Sequence, residues 1–311
     1  MRGVSRVRPG TEERGAVVVL VAIVATALVA MAALVVDVGA LLDEQRQLQN
    51  GADAAALGVA HSCALGSCDA TLANGLADSN ANDRAAAVDS VAVDSGARQV
   101  GVVTSTRGPG GGTILPYALG RAAAGQTGKT VHARASAAWA PIGQAKALRL
   151  AISQCDVSLL GFAPTSSVIR FHSNTSSCDA SSGHDVGGAF GWLVAPDKAD
   201  CEITLTAGDK PFTDTGSSGP KCLGPLLDTD VLIPVFDDRS ALVGKGSNAQ
   251  YPVVGFARFH LTGYHFASDN SPSPPCSGST DCIAGFFVRF VTTTTQGGGG
   301  DFGVYSVHLV S

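Results

Sequence analysis

The sequence predicts an α+β protein: an N-terminal transmembrane helix continuing into an amphipathic helix, a small helix-on-sheet module, then a mostly β disulfide-bonded domain. Three observations carry that expectation. Residues 16–36 are an uncharged apolar run of 21 residues. Apolar residues then continue at helical spacing beyond it. After Ala147, short apolar runs alternate with turn clusters, and six of the eight cysteines fall in that part.

The run Ala16–Val36 reads AVVVLVAIVATALVAMAALVV. As a helix it is about 31 Å long, the thickness of a hydrocarbon core. Arg2, Arg6, Arg8 and Arg14 precede it, and Asp37, Asp43 and Glu44 follow it with Arg46. The positive-inside rule therefore puts the N-terminus in the cytoplasm and everything after Asp37 outside. The competing reading is a cleaved signal peptide, with Ala30-Met31-Ala32 as the formal site. The run is longer than a signal core, however, and no helix breaker follows it. Instead Val38, Leu41, Leu42, Gln45, Leu48 and Ala52 keep helical spacing to about Ala60. Gly39, Gly51 and Gly58 are single interruptions that a helix tolerates. Val38, Leu41, Leu42 and Leu48 form the expected packing face. Val38 to Leu42 are expected to meet partner helices. From Leu48 onward, the Ala-rich half is expected to pack on the chain's own sheet.

Charged residues make up only 15 %, glycines number 38, and Ala dominates the apolar set, which favours small-residue helices and loop-rich β-structure over a dense aromatic core. The net charge of −5 and the lack of a basic stripe argue against nucleic acid. Eight cysteines, an even number, fit disulfides in an oxidising compartment. Cys63 and Cys68 bracket one short loop, and Cys276 and Cys282 another, kept off regular structure by Ser271–Pro275. Cys155, Cys178, Cys201 and Cys222 remain; two sequential pairs are the simplest connectivity, and the others stay open.

A helix is expected near Ala70–Asn80, then two strands within Ser90–Thr106 turning at Ser95-Gly96, then a short helix over Leu115–Ala124. Thr130–Trp139 alternates, with Val131, Ala133, Ala135 and Ala137 on one face, as a half-buried strand does. Seven runs follow as strands: 148–152, 168–171, 203–206, 231–236, 253–261, 286–292 and 302–309. Thr292–Gly300 reads as an exposed hairpin loop.

No candidate for chemistry survives its bland alternative. Ala123–Thr130 (AAGQTGKT) satisfies a loose phosphate-loop pattern, but a helix is expected before it and a strand after it, the reverse of a phosphate cradle. Asp228, Asp230, Asp237 and Asp238 could chelate Ca²⁺ but lack EF-hand spacing, and they read as charged ends of a buried strand. Asp156-Val157-Ser158 starts a von Willebrand A-type metal motif whose next Ser is Leu160, so it is incomplete. The histidines at 61, 132, 172, 184, 260, 265 and 308 are scattered; His260 and His265 are expected on opposite strand faces. Gly216-Ser217-Ser218-Gly219 is a turn, not a nucleophile elbow. The expectation is a non-enzyme with no catalytic, cofactor or metal residues.

One resemblance is specific. Arg14-Gly15-Ala16 stands before the apolar run, Val36-Asp37-Val38-Gly39 at its outer end, and Leu48-Gln49-Asn50 leads into Ala52-Asp53-Ala54-Ala55-Ala56-Leu57. This ordered set, from Glu13 to Ala60, resembles the N-terminal region of TadG-like proteins of the Flp (tight-adherence) pilus assembly system. Two later blocks, Phe190-Gly191-Trp192-Leu193 and Val231–Asp237, look similar to longer members. Pilins proper are cut after a Gly and carry Glu at the fifth mature position; counted from Gly15 that position is Leu20. The resemblance thus implies a structural or assembly component rather than a polymerising pilin. Its implied partners are the membrane and other pilus-assembly proteins, with a second copy left open. The expected organisation is a cytoplasmic tail over 1–15, a transmembrane helix over 16–36, a pilin-like helix plus small α+β module over 37–145, and an exported, mostly β domain over 146–311. The alternative is a membrane-tethered extracytoplasmic hydrolase or solute-binding protein.

Overall fold

The computed structural model describes residues 12–108, 111–117, 128–171, 178, 191–197, 200–214, 221–237, 249–267, 269–292 and 297–310. Its architecture is α+β, led by one helix, α1, over Glu12–Ala64, about 80 Å long at the helical rise. It runs unbroken through the apolar run and the amphipathic stretch because Ala, Leu, Gln and Glu are strong helix formers. A second helix, α2, spans Leu72–Asn80.

Strands β1 (Ala86–Asp94), β2 (Gln99–Thr106), β5 (His132–Pro141), β14 (Phe290–Thr292) and β15 (Val304–Val310) make a sheet in the order β1-β2-β5-β15-β14. Strands β7 (Ile152–Ser153), β8 (Ser167–Phe171), β10 (Thr229–Phe236), β11 (Val253–Phe266) and β13 (Asp281–Val288) make a second, ordered β7-β10-β11-β13-β8, with β12 (Asp269–Asn270) paired on β11. Two small ladders, β3 (Leu115–Pro116) with β4 (Gly128–Lys129) and β6 (Gln144–Leu148) with β9 (Glu202–Thr206), complete the strands. A short helix, α3, covers Gln154–Leu160 and is N-capped by Ser153, whose hydroxyl accepts from the Cys155 N–H. The incomplete motif at Asp156-Val157-Ser158 is its first turn.

Contacts divide the chain into two compact units. The first comprises Met1–Ala55, Thr71–Val91 and Val102–Ala135. Its interior is made of small residues: Ala52, Ala55, Ala73, Ala77, Ala81, Ala86, Ala133 and Ala135 are buried around Leu48 and Val102. Small side chains let α1 and α2 approach closely. A Cβ at Gly51 would lie 2.9 Å from the Ala77 carbonyl oxygen, so the glycine is required by contact rather than merely tolerated.

The second unit comprises Ala56–Ala70, Ala92–Gly101 and Ser136–Ser311. Contrary to the composition-based expectation, its core is densely aromatic. Phe171, Trp192, Phe236, Tyr251, Phe256, Phe259, Phe266 and Phe287 are all fully buried. Phe266 stacks on Phe171 at 6.0 Å and meets Trp192 at 5.1 Å, and Phe259 meets Phe287 edge-on at 5.1 Å. All twelve phenylalanines lie after residue 161, so the chain average conceals the local density.

Three further expectations are corrected. The short helix expected over Leu115–Ala124 begins instead as strand β3, and residues 118–127 lie outside the described set. Thr292–Gly300 is not a hairpin loop: β14 and β15 run parallel, Phe290 opposite Val304, and a parallel pair cannot be closed by a tight turn. The glycines after it permit close packing, since a Cβ at Gly299 would fall 2.1 Å from the Ile142 carbonyl oxygen. Residues 293–296 lie outside the described set. His260 and His265 are not on opposite faces of β11, because a bulge between Leu261 and Gly263 inserts one residue and restores both to the outward side.

That bulge rests on Gly285 of β13, opposite Leu261. A Cβ there would sit 1.9 Å from the His260 carbonyl oxygen. Gly285→Ala is therefore expected to destabilise the chain by about 1–3 kcal/mol, read by thermal unfolding in detergent. Gly278→Ala, whose Cβ position is open despite its positive φ, should lower the melting point less.

Candidate functional site: the emerging helix and its groove

Helix α1 places one face inward at every third or fourth position. Ala33, Asp37, Glu44, Leu48, Ala52 and Ala55 are buried, a single stripe along the helix within the first unit. Of the expected packing face, Leu48 is 1 % exposed and Leu41 lies at the stripe's edge with intermediate burial. Val38 and Leu42 lie one position further on from Asp37 and Leu41, about 100° round the helix, and they are exposed. Periodicity of apolar residues alone misses that the stripe runs through two carboxylates.

Backbone and side-chain hydrogen bonds fasten the emerging helix. Thr104 Oγ1 donates to the Leu48 carbonyl at 3.0 Å, and Gln49 Nε2 donates to the Arg134 carbonyl at 3.0 Å and to Asp53 at 2.8 Å. The Asp83 N–H donates to Gln47 Oε1 at 3.1 Å. Nearby, Asp89 accepts from Ser105 at 2.6 Å and pairs with His132 at 3.1 Å.

Glu44 is covered, at 4 % exposure, and its carboxyl is raised above the ordinary range. Burial is the main cause; Thr106 opposes it, and the like charges of Asp83 and Asp43 add to it. Thr106 lies beside the carboxyl, yet neither Glu44 Oε1 nor Thr106 Oγ1 makes a well-formed hydrogen bond among the described residues.

On the same unit, Leu41, Leu42 and Gln45 of α1 face Lys129, Thr130, Val131 and His132 across an open groove of about 330 Å³. Lys129 belongs to β4 and is followed by β5, so the glycine-lysine-threonine sequence heads a strand and not the helix a phosphate loop requires. Lys129 makes no ion pair among the described residues.

The cysteines form four disulfides: Cys63–Cys68, Cys155–Cys178, Cys201–Cys222 and Cys276–Cys282. The first closes the loop that ends α1, where the Ser67 and Cys68 N–H groups fold back to the Ser62 carbonyl and the Asp69 N–H to the Ser62 hydroxyl.

The aspartates of the 228–238 set do not converge. Asp230 on β10 pairs with Arg258 at 3.0 Å and His260 at 2.6 Å, while Asp237, past the far end of that strand, accepts from Gln154 at 2.7 Å. Seven residues of strand separate them by about 23 Å. Asp228 donates its N–H to the Leu261 carbonyl, and Asp238 lies outside the described residues. Among the described residues no group of three or more His, Cys, Asp or Glu is placed to hold a metal ion. His265 Nδ1 sits 2.9 Å from the Thr280 carbonyl oxygen, and His172 and His184 lie outside the described residues.

Because folding raises the Glu44 pKa, its contribution is fully present below the unfolded carboxyl value near 4.5 and is lost as pH rises through the folded value. Glu44→Gln should therefore raise the melting point at neutral pH and flatten its decline above pH 4.5. Leu48→Ala should lower stability by about 2–5 kcal/mol, whereas Leu42→Ala should stay within about 0.5 kcal/mol. Thermal unfolding of the detergent-solubilised chain checks both expectations, scanned over pH for Glu44→Gln against the parent chain.

Among the described residues one helix, α1, is long and apolar enough to cross a membrane. No curated protein and no solved structure matches the chain. Residues 15–62 match the family model Tad, described as "Putative Flp pilus-assembly TadE/G-like". That match begins at the foot of the apolar run and ends one residue before Cys63, so it covers nearly all of α1. The chain carries a TadE/G-like domain as its N-terminal helix.

Proposed function

We propose that this protein is a structural or assembly component of a Flp/Tad-type pilus or a related envelope secretion apparatus. It is anchored by residues 16–36, with residues 1–15 in the cytoplasm and the remainder outside the cell membrane. The observation that carries the reading is the coincidence of the TadE/G-like match with one continuous helix. That helix has a lipid-ready half, exposed from Val17 to Val36 but for Ala33 among the apolar residues described, and a half built into the first unit. The arginines before the run and the acids after it support the orientation. Four disulfides support an oxidising compartment for everything beyond Cys63.

The chain acts by holding an external domain at a fixed point on the membrane and presenting it to the other assembly proteins. The long helix supplies the tether, and the disulfide-closed second unit supplies a durable surface.

Protease added to intact spheroplasts should digest the part beyond Asp37 and leave the segment before Ala16 protected. Protection of the C-terminal part would reverse the orientation. Deleting the gene should abolish surface pili, and expressing the full chain should restore them while a chain begun at Asp37 should not. Normal pili in the deletion strain would turn the reading toward the tethered hydrolase or solute-binding protein.

A further inference from the structure

We propose that the groove between Leu41, Leu42 and Gln45 of α1 and the Lys129–His132 segment sits on the membrane surface and holds the phosphate of a phospholipid headgroup. The inference rests on the anchoring reading and adds a ligand to it.

Depth along the helix sets the level of the groove. Leu41 and Leu42 lie five and six residues past Val36, roughly 7–9 Å along the axis from the end of the apolar run. The polar layer adds about 5–8 Å to each side of the hydrocarbon core, so the groove opens at headgroup level. Side chains on a helix also lean toward its N-terminus, which here is the membrane side. Leu41 and Leu42 thus point down toward the acyl boundary rather than up into solvent.

The lining selects the ligand. One wall is apolar and is supplied by the two leucines; the other carries the Lys129 ammonium, the Thr130 hydroxyl and His132. An amphiphile with an anionic head and an apolar stem matches both walls at once, whereas a partner helix would match the Lys129 charge only by bringing an acidic residue to that position. Lys129 makes no described ion pair and is exposed on its strand, so its flexible stem can reach a phosphate as a point charge. His132 is already held by Asp89 and forms a fixed edge of the groove. Glu44 lies on the buried side of the helix, so its carboxyl does not line the groove.

The full chain, reconstituted in phosphatidylcholine vesicles, tests this through tryptophan quenching by brominated lipids. Trp139 and Trp192 are 7 % and 1 % exposed and provide a low, constant background. Reporters are Leu42→Trp in the groove, Gln45→Trp as a second groove reporter should the first misfold, and Leu28→Trp within the apolar run. Brominated phosphatidylglycerol is expected to quench the groove reporter with an apparent association about five-fold stronger than brominated phosphatidylcholine, the factor one surface lysine supplies. Lys129→Gln should bring the two lipids to parity. A groove reporter left unquenched while Leu28→Trp is quenched would overturn the headgroup site and leave the anchor standing. No quenching at Leu28→Trp would overturn the anchoring reading itself. A lipid preference unchanged by Lys129→Gln would overturn the phosphate contact. Protection of the groove reporter that grows with the protein-to-lipid ratio would assign the groove to a second copy of the chain.

Discussion

One constraint runs through the first unit: a single unbroken helix joins an exposed apolar stretch to a stretch that is packed along one side. From Val17 to Val36 its side chains are uncharged and, but for Ala33, exposed, which is the character a lipid environment would require of a helix whose backbone groups pair within it. Above that point the same helix must turn one stripe inward and leave the rest to water. A rigid rod permits no change of register between the two regimes. The inward stripe set by Leu48, Ala52 and Ala55 therefore extends by geometry through Glu44 and Asp37 to Ala33. Buried carboxylates at the exit are the outcome of that continuity. The Glu44 side chain is held in a covered position that favours its neutral form, a modest instability offset by the small-residue contacts above it.

The two units solve the burial problem differently. The first brings backbones close with alanine and glycine, as the contact of Gly51 with the Ala77 carbonyl shows, and it gains from close approach what it lacks in side-chain bulk. The second fills its interior with aromatic rings and holds all four disulfides. The loops closed by Cys155–Cys178 and Cys201–Cys222, with sequence separations of 23 and 21, are the longer ones, where cross-linking restricts the unfolded chain most.

Much of this architecture is legible in the sequence. The apolar run, its charged flanks, the α+β class and most strand positions after residue 147 follow from local patterns with a direct physical cause, while the TadE/G-like character of the first helix comes from resemblance. What stays hidden depends on tertiary context. The parallel pairing of β14 with β15 cannot be seen in a glycine run that reads equally well as a hairpin. The bulge in β11 is signalled only by glycines at 263 and 285 that lie 22 residues apart in the chain. The aromatic core disappears in an average taken over a chain whose first half lacks phenylalanine. The groove has no local signature: Lys129-Thr130 reads as part of a nucleotide motif, and its setting beside Leu41 and Leu42 arises only from the fold.

Gly39 lies in α1 just beyond the apolar run, and a side chain there would touch nothing within 4 Å. Unlike Gly51, it is not demanded by a neighbour. A glycine inside a helix weakens it by about 1 kcal/mol relative to alanine. Alanine at position 39 would therefore strengthen the helix without a clash, whereas at position 51 it would meet the Ala77 carbonyl: two glycines of one helix, one replaceable and one fixed by its neighbour.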